Sequence, residues 1–309
     1  RADPRQRLLR DQVVGAVAEH ARDRRGGSNA ALELLPGGEN LATTLKMLNH
    51  ILLAAAAAKE SFQARGHRGE LGVALPLMPT LTENGASAAD VEAARLADGV
   101  INRWVLDPMF KGSYPQDLLD FLDKYGLDAG VQSGDAGRIR AANLDYLGIN
   151  FYAPLFVRAC SDPAGAYVGE PFRPEGVPTA FNGPVRPDQF KALLDRMRTD
   201  YGNPAIYITE NGAGFPSEDV LREDKLSDPL RADYIVRHVE AMQATIADGA
   251  DVRGYFLWSS HDNLEWFSGY EGRFGLIYVD FDTQKRILKL SASVYSDIIS
   301  KMREPSGTK

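Results

Sequence analysis

Ala205-Ile-Tyr-Ile-Thr-Glu-Asn-Gly212 is the stretch on which the fold turns. An apolar, β-branched run makes a short strand, a single carboxylate follows at Glu210, and Asn211-Gly212 has the composition of a turn. On its N-terminal side, Pro187 to Tyr201 reads as a helix, with proline in the first turn and Gly202 just past the end. On its C-terminal side a helix from Pro229 to Asp248 has Ser227 and Asp228 as candidate caps and Gly249 behind it. That helix leads to a second strand, Gly254-Tyr-Phe-Leu-Trp258. Further out, Tyr146 to Tyr152 and Leu71 to Pro76 are strands of the same continuous apolar kind. The helices between and around them begin at Asn40, with Leu41, Leu45, Leu48 and Leu52 on one face and Gly66 as the stop. They continue from Ser87 to Gly99, on through Asn102 to Pro108, and end with Ser291 to Ser300. Apolar strands alternating with amphipathic helices define an α/β protein with a parallel sheet, expected to be covered on both faces. The arrangement is of the (β/α) TIM-barrel type, in which functional groups gather at the C-terminal ends of the strands.

Composition narrows the function. The chain has 309 residues, 44% hydrophobic and 25% charged, enough apolar material for one large core. A net charge of −7 argues against nucleic acid, whose phosphates call for clustered Lys and Arg. The single Cys160 rules out an internal disulfide framework and a cysteine zinc site, reads as a buried thiol, and places the chain in a reducing, cytoplasmic compartment. Arg1 to Arg10 lacks the apolar core of a secretory signal, and the longest apolar run, Ile51 to Ala58, is too short to cross a bilayer. No membrane partner is therefore expected. Residues 1–34, arginine-rich and broken by Arg25-Gly-Gly-Ser28, read as a separate arm or helix, and 35–309 as the folded body.

Three strand ends carry chemistry. Glu210 is aimed by a fixed strand end, as attack on an anomeric carbon requires; the alternative is a strand-end glutamate in an ion pair. Thr82-Glu-Asn-Gly85 repeats the tetrapeptide, but Glu83 follows a proline-broken stretch and reads as a solvated loop residue. Trp258-Ser-Ser-His-Asp-Asn-Leu-Glu-Trp266 brackets a polar run between two indoles. Aromatic faces pack on the C–H face of a pyranose, and a carboxylate accepts from adjacent hydroxyls. The alternative there is a core tryptophan pair around a capped turn. His261 and Asp262, adjacent on an extended segment, point apart, so no metal is expected. At Asn150-Phe-Tyr152 a phenol can donate to a neighbouring carboxylate and keep it ionised; a structural tyrosine is the alternative.

Taken in order, these segments resemble the family 1 glycoside hydrolases, the β-glucosidase family. Leu35-Pro-Gly37 with Asn49-His-Ile-Leu-Leu53, Asp98 to Pro108, Asp145 to Tyr152, Tyr207 to Gly212, Trp258 to Trp266, Arg273 to Asp280 and Thr283 to Arg286 carry the likeness, from about Leu35 to Ile299. It implies a retaining β-glycosidase without cofactor, acting on β-glucosides. Glu210 would be the nucleophile, Tyr152 its hydrogen-bond donor and Asn150 its neighbour. Trp258 would be the sugar platform, with Glu265 and Trp266 on the outer hydroxyls; a carboxylate at 265 would repel a 6-phosphate.

The likeness covers strands five to eight of the eight-stranded family barrel, about four of eight. The family's acid/base residue sits in an Asn-Glu-Pro triplet, and that triplet is absent from this sequence. Counting back from Pro36 by the family spacing lands near Glu19, in a segment that reads at least as well as an amphipathic helix with Glu19 exposed. An incomplete barrel leaves two strand edges open, to be covered by a second copy, by another chain or by the N-terminal arm. A catalytically silent half-barrel that binds sugar or serves as a scaffold is the alternative function.

Overall fold

In the computed structural model the described residues are 38–160, 168–218, 221 and 226–303. Glu19 and the arm 1–34 lie outside them. Helix α1 (Gly38–Ala64) runs into β1 (Val73–Pro76) and the short β2 (Thr80–Leu81). Helix α2 (Ala88–Asp98) is started by a capping box in which Ser87 and Asp90 satisfy each other's backbone N–H groups. A π-turn at Gly99–Arg103 carries it into α3 (Trp104–Phe110), followed by α4 (Gln116–Lys124) and α5 (Asp135–Ala141). Then come β3 (Leu147–Phe151), β4 (Leu155–Arg158), β5 (Glu170–Phe172), β6 (Thr179–Ala180), β7 (Gly183–Pro184) and α6 (Pro187–Asp200). The chain closes with β8 (Ile206–Asn211), α7 (Pro229–Ala247), β9 (Val252–Leu257), β10 (Ile277–Val279), β11 (Arg286–Leu288) and α8 (Leu290–Arg303).

The organising sheet has four parallel strands in the order β1-β3-β8-β9. These are the four strands read from sequence, and among the described residues no further strand extends that sheet. Small sheets made by β2-β4-β5, β6-β7 and β10-β11 build the rim above it. One face of the sheet is packed: Leu75, Leu147, Ile149, Phe151, Ile206 and Ile208 meet Leu52, Leu106, Phe190, Leu194, Ile235 and Met242 of the helices. Burial of such side chains stabilises by roughly 1.5–3 kcal/mol each.

The other face is not covered by any of the described residues, whereas the sequence reading has both faces covered. It carries small and aromatic residues instead. A Cβ on Gly148 would meet Ala74 and Thr209, and one on Gly254 would meet Tyr207, so these glycines let neighbouring strands close up. Phe256 on this face is 57% exposed. A curved parallel sheet buries its convex face on helices and its concave face on its own remaining strands, so four strands leave the concave side open.

Three local readings also change. Asp228 does not cap α7 through its side chain; its buried carboxylate accepts from Arg231 Nη1 (2.8 Å) and from Ser291 N and Oγ. Cys160 is half-buried, not buried. Helix α1 is longer than its apolar run: Asn40–Ala64 is long and apolar enough to span a bilayer by length and composition, yet it buries Leu41, Leu45 and Leu52 in the core as a packed helix does.

Candidate active site

The C-terminal ends of β3, β8 and β9 bring Asn150, Tyr152, Glu210 and Trp258 to one rim. Along β8, Ile206 and Ile208 face the helices, and so does the buried Asn211. Two residues, Thr209 and Glu210, separate Ile208 from Asn211, so the alternation breaks. The register records the break: Ile149 pairs with Ile208, but Asn150 pairs with Glu210. This bulge turns Glu210 to the open side, where strict alternation would aim it at the helices. Glu210 thus lies within the strand, and Gly212 is the residue that lets β9 pass, since a Cβ there would sit 1.9 Å from the Trp258 carbonyl oxygen.

Tyr152 Oη donates to Glu210 Oε2 at 2.6 Å. Burial, then this hydrogen bond and the charge of Glu210, raise the phenol's pKa well above its usual value, so Tyr152 stays protonated and remains a donor. Trp258 Nε1 donates to Glu265 Oε1 at 3.1 Å, tying the platform candidate to the hydroxyl-binding candidate. Burial raises the Glu265 pKa, the Trp258 bond opposes it, and the nearby Glu210 charge adds to it. Asn150 Oδ1 accepts from Thr209 Oγ1 at 2.5 Å, so it sits beside Glu210 in the sheet. Trp266 is the exception. It is 84% exposed, on a short turn reaching over the cleft.

Tyr152, Glu265 and Trp266 line one cleft of about 280 Å³, with Phe156, Phe172 and Phe181 among its other walls. These aromatic walls come from the segment after β3 and from residues 170–184, which carried no sequence signal because they are single aromatic residues without periodicity. A larger open groove of about 530 Å³ lies on the outer side between α2 and α6. Its Arg196 and Asp98 pair with each other at 2.6 Å, so the chemistry is assigned to the rim.

Asp262 is structural. Its buried carboxylate accepts from Arg273 Nη1 (2.8 Å), Lys289 Nζ (3.0 Å) and Gly275 N (3.0 Å), which pins the segment after β9. His261 is exposed and meets Ser260 Oγ, so the pair does not converge on a common point. Glu83 is exposed in its loop, as expected.

A hydrogen-bonded carboxylate and an indole stand together at the rim of a parallel (β/α) sheet, beside an aromatic cleft. The chain belongs to glycosyl hydrolase family 1, whose sequence profile matches residues 28–304. It is 55% identical over 266 residues to "Beta-glucosidase A" of Enterobacter agglomerans, covering 86% of this chain and 55% of that protein. It is 34% identical to a "6-phospho-beta-galactosidase" of Leptotrichia buccalis, covering 81% of this chain and 58% of that one. Among solved structures, a β-glucosidase from Exiguobacterium antarcticum superposes with a TM-score of 0.76 at 38% identity, covering 83% of this chain and 57% of the other. The chain therefore spans a little over half the length of these relatives. Among the described residues the parallel sheet has four strands, the number expected from sequence.

Proposed function

We propose that this chain carries the nucleophile half of a retaining β-glucosidase site, hydrolysing β-glucosides through a covalent glycosyl-enzyme on Glu210. The observation that carries the reading is the 2.6 Å hydrogen bond from a protonated Tyr152 to a carboxylate held at the strand end. In the first step a Glu210 oxygen forms a bond to the anomeric carbon, the bond to the leaving group breaks, and that group departs with the electron pair and takes up a proton. In the second step water attacks the same carbon, gives up a proton, and frees the carboxylate. Trp258 supplies the apolar platform, and Glu265, fixed by the indole N–H, accepts from outer hydroxyls of the sugar. The relatives above carry names of both an unphosphorylated and a 6-phospho activity, and a carboxylate at 265 supports the unphosphorylated sugar.

The test is labelling. Incubation with a 2-deoxy-2-fluoro-β-glucosyl fluoride, which needs little acid help, is expected to add one fluoroglucosyl mass to the peptide holding Glu210 and none to a Glu210→Gln chain. An unlabelled chain, or a label on another peptide, defeats the reading. For the acid/base carboxyl, family spacing supports Glu19. If that residue serves, Glu19→Gln keeps the labelling and loses turnover of alkyl glucosides; unchanged turnover removes it.

A further inference from the structure

Between the rim and helix α7 lies a buried group of neutral hydrogen-bonding side chains that the glycosidase reading does not use. Asn211, directly after the nucleophile candidate, is fully buried. Its Nδ2 donates to the Phe151 carbonyl at 2.8 Å and to Tyr234 Oη at 3.0 Å, while its Oδ1 accepts from Tyr255 Oη at 2.6 Å. Tyr234 Oη in turn donates to the Tyr152 carbonyl at 2.9 Å. Behind it the His238 ring stacks on the Tyr234 ring, with centroids 3.8 Å apart, and His238 Nδ1 meets the Tyr234 carbonyl at 2.8 Å.

One phenol on α7 therefore holds both partners of the Tyr152–Glu210 pair from behind: Tyr152 through its own carbonyl, and Glu210 through the side chain of the next residue. Strands β3 and β8 are locked together just beyond the bulge, where pairing resumes at Phe151 and Asn211 and β3 ends. A weaker lock there lets the phenol and the carboxylate slide past each other, and small misplacements at a reacting group cost large factors in rate. We propose that Tyr234, acting with Asn211, is a positioning residue that sets the geometry of the Tyr152–Glu210 hydrogen bond. This role rests on the reading of Glu210 as nucleophile.

Tyr234→Phe keeps the ring stacked on His238 and removes only the hydroxyl. Two measurements on the whole chain decide the matter. In labelling by 2-deoxy-2-fluoro-β-glucosyl fluoride, Tyr234→Phe is expected to lower the limiting inactivation rate about tenfold, the order of one buried hydrogen bond lost, with the half-saturating concentration unchanged. Tyr152→Phe is expected to lower it too, and the double variant to be no slower than Tyr152→Phe alone, because both act on one hydrogen bond. Additive losses, or a loss confined to saturation, overturn the proposal.

The second measurement is hydrogen exchange, which needs no activity. Tyr234→Phe, and independently Tyr255→Phe, is expected to speed exchange in the peptides holding Tyr152 and Glu210 together. Exchange that rises only within α7 overturns the proposal. Should the unsubstituted chain take no label, the nucleophile reading falls, and exchange still decides whether Tyr234 holds the two strand ends.

Discussion

At the scale of single residues, His238 makes a pH-dependent contribution whose sign follows from its surroundings. It is fully buried, its Nδ1 is bonded to the Tyr234 carbonyl, and its Nε2 has no partner among the described residues. Burial lowers its pKa from 6.5 to about 4. The unfolded chain thus takes up a proton at higher pH than the folded one. The stabilisation from keeping His238 neutral is whole above the unfolded pKa, is lost as pH falls through the interval down to the folded pKa, and changes no further below it. The span is worth on the order of 3 kcal/mol. Urea midpoints compared between about pH 7 and about pH 4.5 are expected to drop more for the native chain than for His238→Phe. Equal slopes for the two would refute this. Tyr234 and Tyr255, whose pKa values burial raises, stay neutral over that range, so the hydrogen bonds behind the rim are not themselves the titrating groups.

At the scale of elements, the close passage of β8 and β9 depends on Gly212. Trp258 N donates to the Asn211 carbonyl at 2.9 Å, which brings the Trp258 carbonyl against the Gly212 Cα. Gly212→Ala places a methyl 1.9 Å from that oxygen, and backbone cannot yield as a flexible side chain can. The expected cost is roughly 1–3 kcal/mol or more, with a changed tryptophan emission as Trp258 leaves Glu265. A variant with native melting temperature and emission would show that the strands part freely. Legibility differed between elements. Strands β3 and β8 and helix α7 could be read from residue type alone, because continuous apolar runs and proline starts are local signals. Residues 153–184 could not be read, since their short strands pair with one another across the rim and each is too brief to show a period.

At the scale of the whole molecule, the four-stranded sheet ends, among the described residues, in two open edges, β1 and β9, and its concave face exposes Phe256. A twofold rotation about the barrel axis would set β9 of one copy beside β1 of another, parallel, and close eight strands without a new fold. Exposed edges and apolar concave surface favour such pairing. The chain on its own is expected to scatter light as a dimer or larger species at micromolar concentration. A compact, soluble monomer would end that expectation and point to cover by the N-terminal arm.

What the sequence determined alone is the order of strands and helices and the delivery of Glu210, Tyr152 and Trp258 to one rim. All of these follow from local periodicity, turn residues and the polarity of strand ends. What only the tertiary structure decided is which way Glu210 points. The two-residue period puts it on the face of Ile206 and Ile208, and pairing with β3 inserts a bulge that reverses it. A bulge is set by the neighbouring strand's register and by the side chains that lock it, Asn211 and Tyr234, which are distant in sequence and meet only in the folded chain.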